Sequence, residues 1–195
     1  MSSFTEQTGQ HQILHLGTHA VADNLAPNNS KLIFSKTGTE NNELTAYDLY
    51  DYEIITDLTV LTACETAVPT YQPGEGMVSL THALMHAGSR SLVTSLWEID
   101  EVASTQIIES FYQNLQDGLP RDRALQKSKL NYLQNANGRT LTPGYWGGMI
   151  LLGDSGTLQL DLASSITIWI GAAVLAVLLL IGIIILAKRR ATIDG

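Results

Sequence analysis

Two stretches of the sequence each end an apolar run on a side chain that can take part in covalent chemistry. HLGTHA carries His19, and LTACET carries Cys64, the only cysteine among the 195 residues. A histidine beside a cysteine takes the thiol proton or lowers the thiol pKa, and the resulting thiolate attacks acyl carbons. The pair therefore predicts nucleophilic catalysis. The alternative is a solvated histidine and a buried structural cysteine.

The elements around these two residues predict how they meet. Short runs rich in Ile, Val and Leu predict strands at residues 12–16, 31–35, 58–63, 90–96 and 148–152. Helical stretches are predicted at residues 77–87 and from the N-cap Asp100 to about Leu115. A third begins at about Arg121, carries Ala124, Leu125 and Leu130 on one side, and is stopped by Asn137 and Gly138. This alternation predicts an α/β fold with a largely parallel sheet that is covered on both faces.

Ligands and reactive groups collect at the carboxyl ends of parallel strands. His19 and Cys64 each follow a predicted strand, so we expect both at the same edge of the sheet. Attack by the thiolate creates an oxyanion that needs backbone N–H donors, for which we predict those of Ala20 and Cys64. His15 lies inside the first strand, where we expect a packed or hydrogen-bonded histidine rather than a second base.

Composition excludes several classes of function. The formal net charge of −8 argues against nucleic acid as a partner, because phosphate backbones are bound by clustered Lys and Arg. A single cysteine excludes an internal disulfide framework. The sequence has no HExxH motif and no pair of cysteines at zinc-ligand spacing, so we predict neither a metal nor a cofactor.

The C-terminal part differs in character. Residues 166–187 form an uncharged apolar run that is long enough to cross a bilayer. Trp169 near its start fits an interfacial anchor, and the basic residues 188–190 follow its end. We therefore expect a globular domain at residues 1–160, a juxtamembrane and transmembrane segment at 161–187 and a basic tail at 188–195. The positive-inside rule predicts an extracytoplasmic domain. The polar N-terminus offers no secretory signal, which leaves a tail-anchored cytosolic domain as the alternative.

Six segments together resemble a known family. HLGTHA, LTACET, GEGMVSLTHALMHAGSRSLVTSLWEID, SFYQNLQDG, RALQKSKL and PGYWGGMILLGD occur in the order typical of the CHAT domain, a caspase-like peptidase domain often found with TPR repeats. The resemblance covers about residues 12–154. It implies a three-layer α/β/α caspase-like fold, with His19 and Cys64 as the catalytic dyad of a cysteine endopeptidase in the group of caspases, separase and gingipains.

The comparison with this family also implies differences and a substrate cleft. Ala20 stands where the family often has glycine. The family's domain begins well before its histidine, so we expect this chain to hold the C-terminal part of the domain or a degenerate copy of it. In caspase-like enzymes the segment after the 90–96 strand lines the cleft. Trp97 is then an apolar wall, and Glu65, Glu98 and Asp100 favour a basic or polar residue at the cleavage site. The alternative readings are a core tryptophan, an N-cap at Asp100 and solvated carboxylates.

Two functions from different classes follow. The first is a membrane-anchored cysteine endopeptidase that cleaves protein or peptide substrates. The second is a catalytically silent CHAT-like module that is tethered to the membrane and binds partners through an incomplete sheet edge. In both cases TPR repeats or an activating partner are expected in a longer parent chain.

Overall fold

A computed structural model describes residues 11–23, 25–36, 41–62, 64–65 and 75–160, with the backbone alone at 64–65 and 75–78. The strands are β1 (Ile13–Leu16), β2 (His19–Val21), β3 (Lys31–Ile33), β4 (Glu43–Thr45), β5 (Leu58–Leu61), β6 (Cys64–Glu65), β7 (Ser91–Ser95) and β8 (Met149–Gly153). The helices are α1 (Ala46–Leu49), α2 (Glu75–His86), α3 (Glu101–Gln116) and α4 (Arg121–Asn135), with 3-10 turns at Pro27–Asn29, Gly138–Leu141 and Pro143–Tyr145. Chain contacts divide the protein into a unit that ends at Leu158 and a second that begins at Gln159, and all these elements belong to the first.

The central sheet has the strand order β1-β5-β7-β8. β1, β5 and β7 run parallel, and β8 is antiparallel to β7 at the edge. All four residues of β5 are buried, which is expected for a strand with cover on both faces. The predicted α/β fold with a mostly parallel sheet is confirmed.

Helices cover both faces of this sheet. Side chains alternate between the faces of a strand, so alternate residues of β1, β5 and β7 divide into two sets. One face packs against α2 in a core cluster that includes Leu16, Leu61, Leu92, Leu80, Ala83 and Leu84. The opposite face carries His15, which contacts Tyr112 of α3. The sheet is therefore the middle layer between α2 on one side and α3 on the other.

A second, smaller sheet has the order β4-β3-β2-β6. The strand predicted at residues 31–35 is β3, which pairs antiparallel with β2 and with β4 and does not join the parallel sheet. β2, β4 and β6 are absent from our predictions. They are two or three residues long, which is too short for an alternating pattern to be recognised. Leu32 of β3 and Leu44 of β4 are nevertheless fully buried.

The predicted helices are present, but the predicted orientation of one side chain is wrong. The Asp100 carboxylate accepts a hydrogen bond from the Ala103 N–H at 3.0 Å, so Asp100 caps α3 as predicted. On α4, Ala124 and Leu125 are buried, but Leu130 is 52% exposed, and its predicted inward facing is wrong. Leu130 lies about 140° around the helix from Leu125, which carries it off the buried stripe.

Among the helices that the structure describes, none combines the length and the apolar character needed to cross a bilayer. The predicted transmembrane segment, residues 166–187, and the basic tail after it lie outside the described residues.

Candidate functional site

The backbone brings the predicted histidine and cysteine into register. His19 is the first residue of β2 and Cys64 is the first residue of β6. These two strands pair in parallel, with His19 directly opposite Cys64. Neighbouring strands lie about 4.8 Å apart. The two residues predicted from their positions after separate strands are thus backbone neighbours.

The register of β2 and β6 follows from the pairing of β1 with β5 in the central sheet. β1 and β5 pair in parallel with Leu16 opposite Leu61, and the Thr62 N–H donates to the Leu16 carbonyl at 3.2 Å. A two-residue connection then leads from each strand into the second sheet, residues 17–18 on one side and 62–63 on the other. Since both connections have the same length, the pairing advances by three residues on each chain segment and sets His19 against Cys64.

A cavity of about 640 Å³ adjoins His19. Its walls come from the end of β1, the end of β3 and one side of α3, and they include His15, Thr18, His19, Phe34, Thr62, Glu101, Glu109 and Tyr112. Glu101 and Glu109 are its acidic side chains, and none of the described residues that line it is Lys or Arg. The cavity next to His19 therefore has an acidic wall.

His15 forms hydrogen bonds with two elements at once. Its Nε2 atom lies 3.0 Å from Thr62 Oγ1, and its Nδ1 atom lies 3.0 Å from the Tyr112 hydroxyl. Partial burial lowers the pKa of His15 and raises the pKa of Tyr112 to about 12. The prediction of a hydrogen-bonded histidine at this position is confirmed.

Two of the three predicted cleft residues after β7 lie at a second, smaller cavity of about 30 Å³. Trp97 and Glu98 line it, and the two cavities share Thr62, Ser104 and Ile108 in their walls. Trp97 is 43% exposed, and its indole N–H donates to the Gly144 carbonyl at 3.1 Å. It is therefore a half-exposed wall residue rather than a core one, whereas Asp100 serves as the cap of α3.

The remaining predicted residues belong to the second sheet. Ala20 is fully buried, and its strand pairs with β3 on one edge and with β6 on the other. Glu65 lies opposite Ala20 in the pairing of β2 with β6. The donor role of the Ala20 and Cys64 amides and the cleft role of Glu65 stay predictions.

Sequence reasoning missed the side of α3 that faces the cavity. Glu101, Thr105, Glu109 and Tyr112 recur at spacings of four, four and three residues, which is the period of one helix face. That spacing is readable from the sequence, but our prediction for this helix used only its N-cap and its end. Within the described residues, no group of three or more His, Cys, Asp or Glu side chains is arranged to hold a metal ion.

The fold and the paired residues define a mixed α/β domain with a candidate site where two sheets meet. A model of the CHAT domain matches residues 1–154, and the chain therefore belongs to the CHAT domain family, which is caspase-like. The chain is also similar to tetratricopeptide repeat protein 28 of Homo sapiens and of Mus musculus, at 30% identity over 110 residues in each case. Each match covers 56% of this chain and 4% of the relative.

Proposed function

We propose that this chain is a cysteine endopeptidase domain in which Cys64 is the nucleophile and His19 the general base. The observation that carries the proposal is the backbone pairing of His19 with Cys64 across β2 and β6. His19 takes the thiol proton, and the thiolate attacks the peptide carbonyl to give a tetrahedral oxyanion. The backbone N–H of Cys64 is the donor that we propose for that oxyanion. His19 then protonates the leaving amine, and water hydrolyses the acyl-thioenzyme.

The cavity beside His19 supports a peptide substrate with a basic side chain. Its volume of about 640 Å³ lies within the range of sites that bind small ligands. Glu101 and Glu109 in its wall favour a cationic side chain and disfavour an aspartate. The substrate preference proposed here is therefore lysine or arginine at the cleavage site, with Trp97 and Glu98 at the adjoining cavity as further contacts.

We expect the alkylation of Cys64 to test this dyad directly. A partner imidazolium stabilises the thiolate, so the pH midpoint of alkylation by iodoacetamide should lie well below the 8.5 of a free cysteine. His19→Ala should raise that midpoint by about one unit or more. Because the chain has one cysteine, the mass of the intact protein reports Cys64 alone.

His82→Ala is the matched control, since His82 is exposed on α2 and lines neither cavity. It should keep the midpoint of the parent protein. Equal midpoints in the parent and His19→Ala proteins, with both folded by circular dichroism, would contradict the dyad and favour the silent interaction module.

Membrane attachment is a separate part of the proposal. The uncharged run at residues 166–187 supports a single-pass anchor, and the basic residues 188–190 support a cytoplasmic tail with the domain outside. Insertion by the tail is the alternative and leaves the domain in the cytosol. The full chain should sediment with membranes after an alkaline wash, and a chain that ends at Leu160 should stay in the supernatant. Sedimentation of the shortened chain would contradict the anchor.

The two matched relatives support a longer parent chain for this domain. Both are named as tetratricopeptide repeat proteins, and this chain matches only 4% of their length. We propose that the domain acts in a longer chain that carries TPR repeats, which bind a substrate or an activating partner.

A further inference from the structure

His15 bridges three elements that surround the candidate dyad. It lies on β1, its Nε2 atom contacts the hydroxyl of Thr62, and its Nδ1 atom contacts the hydroxyl of Tyr112 on α3, each at 3.0 Å. Neutral imidazole has one donor and one acceptor nitrogen, and a hydroxyl takes either role, so both bonds are satisfied. The low pKa of His15 and the high pKa of Tyr112 keep both groups uncharged near neutral pH.

Thr62 links the hydrogen bonds of His15 to the segment that holds Cys64. It starts the two-residue connection from β5 to β6 and precedes Cys64 by two residues. Its N–H is already bound to the Leu16 carbonyl, and the bond from His15 adds a second link between the same two segments. A slip of one residue at this connection would set a different residue opposite His19.

We propose that His15 is a positioning residue that holds the Thr62 connection, and with it Cys64, in register with His19. The inference rests on the proposed dyad and extends it to a second histidine, which acts through Thr62 rather than on the reacting atoms. Tyr112 orients the imidazole through its other nitrogen, so that the chain of bonds runs from α3 through His15 to the segment before Cys64.

The test compares variants of Thr62 by the alkylation rate of Cys64. Thr62→Val removes the hydroxyl and keeps the shape, and it should slow alkylation at pH 7 by at least about threefold. It should also raise the pH midpoint toward that of His19→Ala. Thr62→Ser keeps a hydroxyl at the same place and should retain the parent's rate and midpoint. Thr142→Val is the matched control, because Thr142 is exposed and lines neither cavity.

Tyr112→Phe is the second variant, since it removes only the hydroxyl that holds the other nitrogen of His15. It should raise the midpoint in the same direction as Thr62→Val. If the parent protein and His19→Ala differ while Thr62→Val and Tyr112→Phe match the parent, the dyad stands and the positioning role is wrong. If His19→Ala itself matches the parent, the dyad fails and the positioning role fails with it. A lower melting temperature with an unchanged midpoint would identify a merely structural contact and overturn the proposal.

Discussion

Replacing Cys64 with alanine is expected to abolish covalent labelling of the folded protein by a peptidyl acyloxymethyl ketone. Such a probe is attacked by an activated thiolate in a bound, peptide-like orientation, so labelling needs both the nucleophile and the cleft. We expect a loss of at least about a thousandfold, because no other side chain of the chain is a thiol. The mass of the intact protein after incubation measures the labelled fraction.

The amino acid next to the reactive group of the probe tests the acidic cavity at the same time. A lysyl probe should label faster than an aspartyl probe, since Glu101 and Glu109 line the cavity beside His19. His82→Ala should label at the rate of the parent protein. The parent protein unfolded in guanidinium should lose the difference between the two probes. Labelling of the Cys64→Ala protein, or equal labelling of the folded and unfolded parent, would contradict the proposed site.

Replacing Arg121 with alanine is expected to lower the free energy of unfolding by about 3 kcal/mol, chiefly because the buried side chain leaves a void. Arg121 begins α4 and is only 3% exposed. Its guanidinium donates to the Gly156 carbonyl at 3.0 Å and to the Asp57 carbonyl at 3.4 Å, and it pairs with the Asp154 carboxylate at 3.2 Å. Removing it takes one donor from each of these acceptors, which keep the Arg121 backbone N–H, the Ser91 hydroxyl and the Gly156 N–H respectively. It also opens a void between α4 and the ends of β5 and β8.

The same change has a measurable consequence in thermal unfolding. A loss of that size corresponds to a melting temperature lower by roughly 10 °C for a domain of this length. Arg121→Met fills the space without the hydrogen bonds and should fall between the parent and the alanine variant. Arg123→Ala, two residues along the same helix and exposed, should change stability by less than about 0.5 kcal/mol. Equal stability of the Arg121 and Arg123 variants would contradict the structural role of the buried guanidinium.

The free energy of unfolding of the Arg121→Ala protein should also depend less on pH than that of the parent, as measured by chemical denaturation at a series of acidic pH values. The pKa of Asp154 is lowered chiefly by the backbone N–H of Gly156, and further by Arg121. A carboxyl group with a lowered pKa in the folded state contributes stability above its unfolded pKa and loses it as the pH falls through the folded one. The part that comes from Arg121 should be absent from Arg121→Ala, so its stability should fall less steeply in acid.

The regular elements could be predicted from the sequence because each carries its own local signal. The strands predicted at residues 12–16, 58–63, 90–96 and 148–152 appear as β1, β5, β7 and β8, with ends that differ by at most two residues. Their apolar runs and the N-cap at Asp100 are local properties of the chain. In the second sheet only β3 gave such a signal, since the strands of this sheet have only two or three residues each. The other three strands were missed, although β2 and β6 hold His19 and Cys64.

The sequence by itself determined the fold class, the membership in a family of caspase-like domains and the identity of the one possible thiol nucleophile. Only the tertiary structure decided that His19 lies opposite Cys64, because that register depends on the pairing of β1 with β5 and on two connections of equal length. It also decided that His15 joins Thr62 to Tyr112. These partners are far apart along the chain, and local propensity and periodicity carry no information about which strands become neighbours or in which register.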